Sequence, residues 1–486
     1  MIQHCLALTI ALYWVKYSLC QEEQDIIVTT AAPTEFLPEF NVASVDSFDP
    51  LAEDSVAPKL YNEVAANSSD IVQDFTDEQL ARGEETSSSM PNVNTTLIHV
   101  HVLWRHGNRA PEEFPANIGN DIRSTWIGGE NALTKKGIEQ ATRLGELLKE
   151  RYYRLLSGLY YPEKFYIRSS DKDRTLMSAQ AVFNGLVSNQ DYGSGLKVFP
   201  VHTVANERDN LFNFNIECPA RQQEQHRVFT VPEYGFPSLA EKTSNFVKWL
   251  QQQTEQPNLT YQDVYKTWDF LYYTRADDRT WPIWATDEVY NQLEMINNRL
   301  NYGLMATPKL LRLRSGPVLK EMSERMMNIA RGSYKREEKF FGYSAHDHTL
   351  AFLLKILGVS FLRWPEPTSA LVFELHRRED NEHFVKIFYR NYTAESFQEI
   401  RLQVCHGDCH LQTFLAYLRP FITNNWAKEC EFDEKRDKSS QNFPILLYVA
   451  IAQSVLLLGV AVLFAVMIAR AFNRSRIVNP LEKIDY

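Results

Sequence analysis

Apolar residues in this chain fall into short unbroken runs and longer stretches of helical period, and their alternation predicts an α/β fold. The run Leu97-Ile98-His99-Val100-His101-Val102-Leu103-Trp104 suits a strand buried on both faces, and Arg105-His106-Gly107 ends it. From Thr134 the period lengthens. Ile138, Ala141, Leu144, Leu148 and Tyr152 recur at helical spacing, so a helix is predicted from there to about residue 156. Residues 164–170 read as a second strand and 174–184 as a second helix. Strand, helix, strand, helix argues for a parallel-rich sheet flanked by helices. Residues 219–331 are mostly helical and rich in Trp, Tyr and Gln, as expected of an inserted cap. The α/β pattern resumes with a strand at 339–344, after which His346-Asp347-His348 leads into an apolar helix at 350–357. Runs at 370–375 and 383–389 flank a polar turn as a hairpin. The expected catalytic domain is therefore discontinuous, 94–218 and 332–435, with the cap at 219–331.

The two ends have different patterns. Residues 1–20 carry a short apolar run from Leu6 to Trp14, then Ser18 and Cys20 as small residues before a cut, and read as a cleaved signal peptide. Residues 443–469 hold no charge, and roughly 20 apolar residues suffice to cross a bilayer. Arg470, Arg474 and Arg476 follow, which predicts a single-pass protein with residues 470–486 as a cytoplasmic tail. The bulk of the chain is then extracellular or luminal.

Charge and cysteine content sharpen this reading. The chain has a formal net charge of -10, but residues 21–90 carry 16 acidic side chains against Lys59 and Arg82. Residues 21–93 therefore read as an acidic disordered leader. No basic stripe suggests nucleic acid. Once Cys5 and Cys20 leave with the signal, Cys218, Cys405, Cys409 and Cys430 remain, an even number that implies disulfides in an oxidising compartment. The stretch Cys405 to His410 also contains zinc-ligand types, though a short disulfide loop is the favoured reading. Sequons at Asn67, Asn94, Asn258 and Asn391 fit a secreted route.

The candidate chemistry starts at Arg105-His106-Gly107-Asn108-Arg109-Ala110-Pro111. Two guanidiniums bracket a histidine at a strand end, and arginine forks bind two phosphate oxygens at once. Neighbouring positive charge disfavours imidazolium and keeps His106 nucleophilic in acid. With these residues the chain resembles the histidine acid phosphatases from about Thr96 to Cys430, and it is similar to the animal prostatic and lysosomal types, nematode members included. Residues 166–179 look like the segment that supplies the family's third phosphate-binding arginine, here Arg174. Ser344-Ala345-His346-Asp347 resembles its second signature.

The resemblance implies His106 as nucleophile, Asp347 as proton donor, and Arg105, Arg109, Arg174 and His346 as phosphate ligands. It also implies disulfides Cys405–Cys409 and Cys218–Cys430, no metal or other cofactor, and a homodimer. The expected activity is acid hydrolysis of phosphate monoesters through a phosphohistidine. A phytase, a lysophosphatidic acid phosphatase and a catalytically silent membrane glycoprotein are the alternatives. Asn108 and His348 depart from the family's usual residues. An acidic optimum is expected if Asp347 must be protonated and His346 charged. His99, His101, His202, His406 and His410, and His348 with them, read as structural or surface residues.

Overall fold

The computed structural model describes residues 95–156, 162–188, 199–359, 364–431 and 451–471. The signal, the leader, the sequons Asn67 and Asn94, and most of the tail lie outside the described residues.

The first strand, β1 (Thr95–Arg105), is buried from His99 onward. Its side chains alternate between two cores, as a strand requires. Val100, Val102 and Trp104 join one cluster with Ala141, Leu144 and Leu148, while Leu103 joins a second with Leu350 and Phe373. Helix α1 (Lys135–Tyr152) opens where Thr134 caps it by accepting from the Gly137 amide at 3.1 Å. Strand β2 (Phe165–Ser169), helix α2 (Asp173–Leu186) and the two-residue strand β3 (Val201–His202) follow. Helices α1 and α2 touch at Gly145 and Gly185, where a Cβ on either would meet the other helix's backbone oxygen at 2.0 Å.

A run of helices then interrupts the sheet: α3 (Pro219–Thr230), α4 (Phe236–Lys242), α5 (Ser244–Thr254), α6 (Val264–Ala276), α7 (Asp287–Gly303) and α8 (Pro308–Ala330). Phe236, Leu250, Phe270, Leu271 and Leu293 form a separate core there. The sheet resumes with β4 (Phe340–Ala345), helix α9 (Asp347–Ile356), β5 (Ala370–Arg378), β6 (His383–Arg390), β7 (Gln398–Ile400) and β8 (Cys409–His410), before helix α10 (Leu411–Leu418).

Strand order is β3-β2-β4-β1-β5-β6-β7, with β8 also on β6. The parallel character expected from the sequence holds for β1 to β4, and β5 to β8 extend the sheet antiparallel, making it mixed. Cys218–Cys430 joins chain positions 212 residues apart, and Cys405–Cys409 closes a short loop, so these thiols are not zinc ligands. The helix Ile451–Ala471, with mean hydropathy 2.6, is long and apolar enough to cross a membrane.

Candidate active site

Strand register brings the predicted chemistry together. In the parallel part of the sheet Arg105 pairs with Ala345, and Ser169 with Ser344. The residues that follow, His106, Ser170 and His346, leave the sheet side by side at the carboxyl ends of their strands, where open α/β sheets place ligands. The His106 amide donates to Ala345 O at 3.1 Å, and its carbonyl accepts from the Thr368 amide at 3.2 Å. The next residue must be glycine for a packing reason. A Cβ on Gly107 would lie 2.2 Å from the Gly137 carbonyl oxygen in the first turn of α1.

His106 is 3% exposed, with Nδ1 2.8 Å from its neighbour's carbonyl, Gly107 O. A carbonyl can only accept, so Nδ1 carries the hydrogen and Nε2 presents its lone pair. Burial, followed by the charges of Arg174, Arg105 and Arg109, holds this imidazole well below its ordinary proton affinity. The neutral imidazole expected from the flanking arginines is therefore found at His106, with burial as the larger cause.

Three guanidiniums surround it. Arg105 is 2% exposed and donates from Nη1 to Pro365 O at 2.6 Å and from Nη2 to the Tyr273 hydroxyl at 2.7 Å. Arg109 forks onto Asp269 at 2.6 and 3.1 Å, with its guanidinium 4.2 Å from the centre of the Tyr273 ring. Arg174, at the start of α2, has no carboxylate partner among the described residues. Burial and then Arg109 lower its pKa to about 10, outweighing the more distant charges of Glu112 and Asp347. Nε of each of the three is buried without a partner. The cluster is preorganised for an anion.

His346 lies beside this cluster. Its ring centre is 5.7 Å from that of His106, and its Nε2 is 2.9 Å from Ser170 Oγ. Asp347 begins α9. Its Oδ2 lies 2.8 Å from Arg105 Nη2, and its Oδ1 accepts from the His348 amide at 2.7 Å and lies 2.8 Å from His348 Nδ1.

Several expectations need correction. Burial alone would raise the Asp347 carboxyl, but Arg105, His348 and His106 outweigh it and hold it well below the usual carboxylate range. Burial and Arg174 hold His346 well below the ordinary imidazole value. Asp347 is thus held ionised and His346 neutral, the reverse of the protonation states assumed for the acidic optimum. His348 is no bystander, since it contacts Asp347 directly and packs 4.3 Å from Phe214 and 5.3 Å from Trp364. Ile138 faces solvent, because Gly137 takes the inner face of the first turn of α1.

Asn108 is fully buried, its Nδ2 donating at 3.1 Å to both Thr134 Oγ1 and Asp277 Oδ1. Asn258 is exposed, whereas Asn391 is half-buried and accepts from Ser369 Oγ at 3.0 Å. Arg168 pairs with Asp209 at 2.6 Å and so serves the loop after β3. A cavity of about 460 Å³ between α6, α7 and the segment before β5 meets the six candidate residues only at Arg105, so it is not where phosphate would sit.

Asp269 and Tyr273 were not legible as site residues. They lie four positions apart in α6, far along the chain from the arginines they hold.

The profile of the Histidine phosphatase superfamily (branch 2) matches residues 96–390. A Caenorhabditis elegans protein assigned as acid phosphatase 5 is 31% identical, covering 73% of this chain and 83% of its own. Rat lysosomal acid phosphatase is 29% identical, covering 78% and 90%, and bovine prostatic acid phosphatase 30%, covering 69% and 87%. A solved Hafnia alvei phytase in complex with tartrate shares the fold, with TM-score 0.54 and 16% identity over 70% of this chain and 99% of that one. The profile spans the histidine and arginines gathered at the strand ends, and the protein belongs to branch 2 of the histidine phosphatase superfamily.

Proposed function

We propose that this phosphomonoesterase works by two displacements at phosphorus, with His106 as nucleophile and Asp347 as acid and then base. The observation that carries the proposal is His106 itself, its Nδ1 committed to Gly107 O and its Nε2 free amid three guanidiniums. Arg105, Arg109, Arg174 and His346 bind the phosphoryl oxygens and neutralise charge that spreads over them in the transition state. The Nε2 lone pair forms the N–P bond as the ester P–O bond breaks, and the departing oxygen takes a proton from Asp347. Water then attacks the phosphohistidine and gives its proton to Asp347, and the N–P electron pair returns to Nε2.

Asp347 must gain its proton on binding. A phosphate group competes for Arg105, and its own negative charge raises the proton affinity of a nearby carboxyl. The free enzyme holds Asp347 ionised, so kcat/KM for esters of poor leaving groups should rise as pH falls toward the acid range. The helix Ile451–Ala471 anchors the chain, with the catalytic residues extracellular or luminal, at the cell surface or in lysosomes.

The test is Asp347→Asn. Alkoxide leaves poorly without a proton, while p-nitrophenolate leaves readily. The substitution should slow alkyl phosphates by roughly 10²–10⁴-fold and p-nitrophenyl phosphate far less. Arg174→Ala should slow both by similar factors. Equal slowing of both esters by Asp347→Asn would remove the residue from the leaving-group role.

A further inference from the structure

Among the buried arginines of the described residues, Arg105, Arg109 and Arg168 face a carboxylate, 2.8, 2.6 and 2.6 Å from Asp347, Asp269 and Asp209. Arg174, Arg221, Arg314 and Arg390 have none within ion-pair distance. For Arg174 the phosphate site explains this. Arg221 and Arg390 spend their Nη groups on backbone carbonyls, Arg221 on Phe214 O and Ile216 O at 3.0 and 2.7 Å, and Arg390 on Thr368 O and Tyr392 O. Arg314, on α8, is different. Nη2 donates to Gln225 Oε1 at 3.0 Å, Nε is buried without a partner, and the guanidinium lies 3.9 Å from the centre of the Phe214 ring. Burial, with the charge of Arg221 added, holds Arg314 well below its ordinary proton affinity. A desolvated cation in this state gains most from an anion.

A small cavity of about 30 Å³ lies where Arg314 and Arg221 meet Ser315, His346, His348 and Thr349. His346 is the candidate phosphate ligand and Asp347 the candidate acid, so this cavity adjoins the side of the site where the leaving alcohol is protonated. About 10–15 Å³ of such space holds one water, so the cavity takes about two. Space for about two waters limits an occupant to a small group, of which a carboxylate is the anionic example.

We propose that Arg314 is a specificity residue that binds a carboxylate carried by the leaving alcohol, so that the preferred substrates are phosphate monoesters of hydroxy acids. The inference rests on the phosphomonoesterase reading above, whose own failure would be distinct: no ester would turn over, p-nitrophenyl phosphate included.

The test compares O-phosphoserine with O-phosphoethanolamine, which differ by one carboxylate, on the detergent-solubilised full chain. The native protein should favour phosphoserine in kcat/KM by about tenfold or more, the scale of one hydrogen bond to a charged group. Arg314→Gln should erase that preference and leave p-nitrophenyl phosphate turnover intact, and Arg314→Lys should retain part of it. Acetate should raise KM for phosphoserine and not for phosphoethanolamine. Equal kcat/KM for the two esters in the native protein overturns the proposal without any variant. So does an unchanged preference in an Arg314→Gln protein that still cleaves p-nitrophenyl phosphate. An equal acetate effect on both esters, with no preference for phosphoserine, would make the cavity a site for free anions and also overturn it.

Discussion

Asp269→Asn isolates what helix α6 contributes to phosphate binding. Asp269 is 5% exposed and touches no predicted catalytic group except Arg109, which it holds at 2.6 and 3.1 Å; it also accepts from the Glu112 amide at 2.8 Å. The substitution keeps the size of the side chain but removes its charge and one acceptor oxygen, so Arg109 loses the fork that aims it. A hydrogen bond to a charged group contributes roughly 1.5–3 kcal/mol, equivalent to about 10- to 150-fold in binding. The expected loss is at the lower end, about tenfold, because Asn still offers one acceptor. The assay is competitive inhibition of p-nitrophenyl phosphate hydrolysis by inorganic phosphate. Arg109→Ala should weaken phosphate at least as much. If Asp269 acts only through Arg109, the double variant should be no worse than Arg109→Ala alone, because residues in one network are non-additive. A folded Asp269→Asn protein whose phosphate inhibition constant changes by less than about twofold, or a double variant that shows the full sum of both losses, would refute this reasoning.

Two further predictions concern stability and topology. His99 is buried and its pKa is lowered to about 3, by burial first and then by Arg325, against 6.5 for the free side chain. The unfolded chain binds the extra proton first, so stability is lost as pH falls from about 6.5 toward 3, by about 2 kcal/mol at pH 5. In thermal unfolding at pH 7 and pH 5, His99→Leu should therefore show a smaller drop between the two than the native chain does. Ending the chain before residue 443 should release soluble, active enzyme, and membrane-bound product would show that the anchor lies elsewhere.

The parts of the site that were legible in the sequence are local ones. Arg105, His106 and Arg109 follow a strand whose apolar run is plain, and His346-Asp347 follows another, so strand order alone was enough to bring them together. The grip on the arginines was not legible. Tyr273 and Asp269 reach Arg105 and Arg109 across separations of 168 and 160 residues, and a helix of mostly apolar and aromatic residues does not announce which of its faces meets a distant loop. Protonation states failed for a similar reason. Asp347 is held ionised because Arg105 Nη2 lies 2.8 Å from it, a contact that no adjacency in the sequence reveals. Ile138 pointed the wrong way because close packing of the His106 loop on Gly137 sets the inner face of the first turn of α1.

The central claim is that His106 carries the phosphoryl group, and trapping that intermediate tests it directly. Native protein mixed with labelled p-nitrophenyl phosphate and quenched within its first turnovers should hold label in an acid-labile, alkali-stable bond that maps to the peptide containing His106. His106→Ala should hold none and should not turn over. Label in an acid-stable bond, or substantial turnover by a folded His106→Ala protein, would contradict the account.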